Sequence, residues 1–123
     1  MSDLLWQLGA METAELISKK DVSTREVIKN HLERLTEVNP KINAITRSLN
    51  DEAMEMAILA DEKISRNEQI GPLHGVPVTI KDNVDITGQT SPNGVSKLKD
   101  NLAPANSPVV DNLLKAGAIP IGR

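Results

Sequence analysis

The sequence contains no cysteine, no phenylalanine and no tyrosine, and Trp6 is its only aromatic residue. Without cysteine there is no disulfide framework, no thiolate metal ligand and no catalytic thiol. Without aromatics there is no platform on which single-stranded nucleic acid stacks its bases. The core must then be built from Leu, Ile, Val, Ala and Met. Positive charge is also short: 14 Lys and Arg stand against 17 Asp and Glu, for a net charge of −3. That balance argues against general phosphate binding and predicts no nucleic-acid partner. The two histidines, His31 and His74, are far apart in sequence, so neither a metal site nor a cofactor is expected. No apolar run approaches the roughly 18 residues that mark a membrane span. "MSDLLWQLGA" lacks the basic and apolar regions of a signal peptide. A cytoplasmic protein with no membrane partner is the expectation.

What is present suits one domain. The length is 123 residues and the apolar share 39%, against ~45–50% in ordinary globular domains, which implies a modest core. The first 68 residues read as mainly helical. "METAELISKK" predicts a short amphipathic helix with Leu16 and Ile17 inward and two lysines at its end. In "DVSTREV", Ser23 is a cap, Glu26 the capping-box partner, and Val22 and Val27 a staple. This helix carries Val27, Ile28, Leu32, Leu35 and Val38 at helical spacing and should stop at Asn39, before Pro40. "KINAITRSL" reads as a short strand. Asn50 is the expected cap of a third helix, with Ala53, Met54, Ala57, Ile58 and Ile64 near one face.

Residues 69–123 change character. "RNEQIGPLHGVP" breaks the helical pattern with two glycines and two prolines and reads as a loop. Residues 76–81 form an apolar run of strand length, as in a strand covered on both faces. Residues 82–106 hold turn formers and few periodic apolar positions, which predicts a long irregular excursion. "SPVVDNLLKAGA" predicts a helix with Ser107 as cap, Pro108 in the first turn and Gly117 as stop. "AIPIG" begins another strand. Strand, excursion, helix, strand implies a crossover and a parallel pair, hence an α/β fold.

The first strand runs straight into Lys81, Asp82 and Asn83. Either the lysine ends the strand and reaches water, or it is held inside to lose its proton and act as a base. Asp82 and Asn83 shape a site by hydrogen bonds or simply form a strand-end turn. His74 reads as a loop residue rather than an acid or base. Gly71, Gly75 and Gly88 read as backbone permissions, and Met54 and Met56 as core or flank.

"GPLHGVPVTIKDNVDITG" followed by "SPVVDNLLKAGAIPIGR" resembles the N-terminal part of the amidase signature family. The likeness extends upstream through "STREV", "NPKINA" and the pair Ala60 and Asp61, so it covers nearly the whole chain. The resemblance implies a Ser–cis-Ser–Lys hydrolase in which Lys81 serves, through a bridging serine, as base for a nucleophilic serine. The chemistry is sound: a serine hydroxyl is a weak nucleophile until something takes its proton, and a lysine takes it only when neutral, a form that burial favours. It further implies that residues 1–123 are the N-terminal part of a larger amidase domain, whose Gly- and Ser-rich segment with both serines lies downstream of Arg123. Ser91, Ser96 and Ser107 lie in no such segment, and Ser107 is better explained as a cap. "NSP" at 106–108 departs from the family's acidic helix start without touching the site.

The expected activity is hydrolysis of a carboxylic amide to acid and ammonia, with a small amide as substrate and Lys81 as the catalytic residue. The chain by itself is expected to be inactive and to self-associate through unpaired strands. Two alternatives stand beside this: the A subunit of a tRNA-dependent amidotransferase, and a non-catalytic module that completes another chain's sheet.

Overall fold

The computed structural model describes residues 2–123. A 3-10 segment, Ser2–Gln7, leads into α1 (Ala10–Ser18), α2 (Thr24–Ile42) and α3 (Asn50–Ser65). After a loop come β1 (Pro77–Thr79), an irregular stretch with one 3-10 turn at Ser96–Leu98, α4 (Pro108–Lys115) and β2 (Ile119–Gly122). β1 and β2 pair in parallel, Pro77 beside Ile119 and Val78 beside Pro120, with a register shift before Thr79 meets Gly122. The strand–crossover–strand order expected from the sequence is therefore present, and the fold is α/β.

Helix α2 starts where its residues dictate. Ser23 Oγ accepts from Glu26 N at 3.1 Å, and the Glu26 carboxylate accepts from Ser23 N at 2.8 Å. The free amides of the first turn are completed from a distance, because Asp61 on α3 accepts from Thr24 N at 2.6 Å and Arg25 N at 3.2 Å. Val22 packs with Val27 in a cluster with Leu5 and Ile17, which places the staple as expected. At the other end the helix does not stop at Asn39. It continues through Pro40 to Ile42, closed by Asn43 with φ of +49°. Asn39 is fixed by tertiary bonds: its side-chain amide donates to Ile45 O and accepts from Ile45 N, both at 2.9 Å. Two such bonds outweigh the local preference against a helical residue before proline.

Helix α3 begins one residue away from expectation. Leu49 is its N-cap and makes no side-chain bond, while Asn50 is the first helical residue. Its buried face is Ala53, Ala57 and Ala60, small residues that let α2 approach closely, whereas Ile58 is exposed. Residues 43–48 are not a strand. They bend past β2 and meet it in one antiparallel bridge, Ser48 beside Gly122, with Thr46 N donating to Arg123 O at 2.8 Å and Arg123 N to Arg47 O at 2.8 Å.

The sheet has helices on both faces. Ile119 and Ile121 join Ile28, Leu32 and the α3 alanines on one side. Val78 and Ile80 join Val110, Leu113 and Leu114 of α4 on the other. Side chains alternate across a strand, so these two clusters occupy opposite faces. Gly117, at φ +94°, ends α4 and lets the chain pass close against His74.

Candidate functional site

The strand that carries Lys81 is anchored at both ends. Upstream, Gly75 N donates to Gly117 O at 2.9 Å and Leu73 N to Ala116 O at 2.8 Å, which ties the 71–75 loop to the end of α4. His74 is buried there, and its Nε2 lies 2.9 Å from Ala60 O, so the ring N–H donates to α3. It is a loop residue with a structural bond. Downstream, Ile119 N donates to Val76 O at 2.8 Å and Ile80 N to Gly122 O at 3.0 Å. Val76 and Ile80 are buried.

Lys81 follows at the C-terminal end of β1, where the backbone leaves the sheet. Its neighbourhood differs from the sequence expectation. β1 is three residues long, Val78 is half-buried, and Thr79 and Lys81 are exposed. The apolar run is covered on one face by α4, and β1 has β2 as its single strand neighbour among the described residues. That is why the run is not buried throughout. No hydrogen bond or ion pair engages the Lys81 ammonium among the described residues.

The residues after Lys81 form a turn in which Val84 N donates to Lys81 O at 3.0 Å. Asp82 and Asn83 occupy its two central positions, and their side chains make no hydrogen bond among the described residues, so they act as turn formers. The excursion beyond is ordered at its neck. Gly88 N donates to Ala103 O and Ala103 N to Gln89 O, both at 2.9 Å, while Ser107 N donates to Asp85 O at 3.0 Å. Thr87 N is held by Asn106 Oδ1 at 2.7 Å.

Two residues that sequence reasoning passed over organise this region. Arg123, 3% exposed, donates through Nη2 to Val84 O at 2.6 Å and through Nη1 to Gln89 Oε1 at 2.9 Å. Longer contacts of 3.5 Å reach Lys81 O and Ser91 Oγ. Arg47 donates to Thr90 Oγ1 at 3.1 Å and to Gln89 Oε1 at 3.3 Å, so one glutamine oxygen serves both guanidinium groups. Burial first, and the Arg47 charge second, pull the Arg123 guanidinium below its ordinary range, with Asp82 and Asp85 opposing. The Nε atoms of both arginines are buried without a partner. One signal in the sequence was available: "AIPIGR" repeats the form of "VPVTIK", a cation directly after an apolar strand.

The three serines have other tasks. Ser91 is half-buried beside Arg123, Ser96 opens the 3-10 turn, and Ser107 caps α4 by accepting from Val110 N at 3.4 Å. Among the described residues no group of three His, Asp or Glu could hold a metal ion. No helix among them is long and apolar enough to cross a membrane.

Comparison with known proteins agrees with this layout. Residues 26–123 match the family model described as Amidase. Indoleacetamide hydrolase of Bradyrhizobium diazoefficiens is 46% identical over 118 residues, covering 96% of this chain and 22% of that protein. The A subunit of glutamyl-tRNA(Gln) amidotransferase from Thermoanaerobacter pseudethanolicus is 40% identical over 119 residues, 97% of this chain and 24% of that protein. Among solved structures, a bacterial aryl acylamidase of the amidase signature enzymes superposes with a TM-score of 0.88 at 29% identity, over 94% of this chain and 24% of that one. Fatty acid amide hydrolase gives 0.94 at 24% identity, over 99% of this chain and 22% of that one, a likeness of fold alone. The chain thus spans about a quarter of the length of these relatives. With the parallel pair, the crossover helix and the family match over residues 26–123 in agreement, the chain belongs to the Amidase family, the amidase signature enzymes.

Proposed function

We propose that this chain supplies the N-terminal part of one amidase domain that hydrolyses a small carboxylic amide to acid and ammonia, with Lys81 as its general base. The observation that carries the reading is the place of Lys81. It stands at the C-terminal end of a strand in a parallel pair, the end at which α/β sheets bind their ligands. In this reading a nucleophilic serine outside residues 1–123 gives its proton, through a bridging serine, to the Lys81 amine. Its oxygen bonds to the amide carbon, the C–N bond breaks as the nitrogen takes a proton, and water then releases the acid. The amine must be neutral to accept a proton, so the reading asks further chain to cover Lys81, which is exposed here.

A second reading, in which the chain is part of the A subunit of a glutamine-dependent amidotransferase, is supported by the 40% identity over 119 residues to such a protein. A non-catalytic module that completes another sheet has in its favour the edge of β1 that carries no strand among the described residues. Ammonia release by the complete purified protein separates the three. Turnover of primary amides by the protein alone, with arylacetamides in the panel, supports the amidase. Activity confined to glutamine and requiring partner proteins supports the amidotransferase. No release in either setting removes the enzyme readings.

A further inference from the structure

Lys81 would need a fixed exit from the sheet to serve as a base, and one buried side chain holds that exit. The turn Lys81–Val84 is closed by its own backbone bond at 3.0 Å. The Arg123 guanidinium lies against both of its ends, 2.6 Å from Val84 O and 3.5 Å from Lys81 O, and its other nitrogen reaches Gln89 at 2.9 Å. The backbone of Arg123 is fixed in turn, since its N–H donates to Arg47 O and its carbonyl accepts from Thr46 N, both at 2.8 Å. Arg123 directly follows β2, the strand that fixes β1. The same strand therefore sets both the height of Ile80, through Gly122, and the shape of the turn beyond it.

We propose that Arg123 is a positioning residue for Lys81: its planar fork spans the turn and the Gln89 segment and so fixes the direction in which the lysine leaves β1. The arrangement departs from what stability alone would select. Arg123 is 3% exposed, has no carboxylate within bonding distance among the described residues, and lies near a second guanidinium, with Asp82 and Asp85 favouring its charge only from beyond contact. Burying a cation with no carboxylate in direct contact is costly, a cost that an aliphatic side chain would not carry. What the aliphatic side chain lacks is the pair of donors aimed at Val84 O and Gln89. Lysine lacks the fork as well, being a point charge on a flexible stem.

This inference rests on the proposed role of Lys81, and the test separates the two. In the complete protein, Arg123→Gln, Arg123→Lys and Lys81→Ala are compared for amide turnover, for the pH dependence of kcat/KM, and for hydrogen exchange at Val84 and, as a reference, Ile28. Arg123→Gln is expected to lower kcat by roughly 10- to 100-fold with KM within about twofold, the scale of a misplaced catalytic group. The acid limb of kcat/KM, which reports the proton that the base must shed, should move by at least about half a pH unit. Exchange at Val84 should speed by about tenfold or more while Ile28 stays protected. Arg123→Lys should fall between, and is read in the same way if Arg123→Gln does not fold. An unmoved acid limb with equal loss of protection at both amides would overturn the proposal, leaving Arg123 a general packing residue. Wild-type kcat in Arg123→Gln would overturn it too. If Lys81→Ala is inactive in that case, the function stands and this inference alone falls. If Lys81→Ala turns over normally, both fall.

Discussion

Replacing Gly117 with alanine should cost the fold about 3–4 kcal/mol, far more than the same change at Gly88. Both glycines have positive φ, +94° and +76°, so each alanine pays the left-handed penalty of about 1–2 kcal/mol. There the likeness ends. A Cβ at Gly88 meets nothing within 4 Å, whereas one at Gly117 lies 2.6 Å from His74 Cα and 3.0 Å from His74 N. These are backbone atoms and no rotamer relieves them, so the 71–75 loop must retreat from α4. Retreat breaks the bonds Gly75 N to Gly117 O and Leu73 N to Ala116 O, each worth about 1 kcal/mol net. Urea titration of the two variants and the parent, with equal m values, reads the difference directly. Costs within about 0.5 kcal/mol of each other would refute the reasoning, because the close approach would then yield without resistance. The loop feeds β1, so an intact approach also bears on where Lys81 stands.

Other expected outcomes follow from the same geometry. Ser23→Ala should lower stability by about 1 kcal/mol in denaturant melts, and an unchanged midpoint would mean that the cap contributes nothing. Bonds from Ser23, its backbone N–H foremost, hold the Glu26 carboxyl below its ordinary range. A depressed folded value contributes stability that is present above the unfolded value, about pH 4.3, and is lost as pH falls through the folded one. The stability gap between the parent and Glu26→Gln should therefore narrow on acidification below about pH 5; a constant gap contradicts the linkage. Asp61→Ala leaves the buried Thr24 N–H without its acceptor and should cost about 1–3 kcal/mol. Asp61→Asn, which keeps one oxygen, should cost clearly less, and equal losses would exclude the capping role. The isolated 123-residue chain should self-associate through the edge of β1 that carries no strand among the described residues; light scattering that shows a monomer with a cooperative melt would contradict this.

Local chemistry was the most legible part of the sequence. The Ser23–Glu26 box, the Val22–Val27 staple, the Ser107 cap with Pro108, and the Gly117 stop depend on residues a few positions apart, and all four stand where the pattern puts them. Pro40 misled because the bonds that keep Asn39 helical come from Ile45, across a bend that no propensity encodes. The run 76–81 suggests a strand covered on both faces, and Thr79 and Lys81 are exposed instead, because a β-branched run does not say how many strands flank it. One face of β1 meets α4, and β2 is its one strand neighbour among the described residues. Arg47 and Arg123 were missed because their shared acceptor, Gln89, is distant from both in sequence. The parallel pair itself was legible from the strand–excursion–helix–strand order.

The central claim is that Lys81 takes a proton, and substitution at that position in the complete protein tests it most directly. Lys81→Ala should reduce amide turnover by on the order of 10³-fold or more, because members of a catalytic unit fail together. Lys81→Arg should be about as damaging, since arginine stays protonated and accepts no proton. Turnover near the parent level in Lys81→Arg would contradict the account, making the residue a cation that serves by charge rather than as a base.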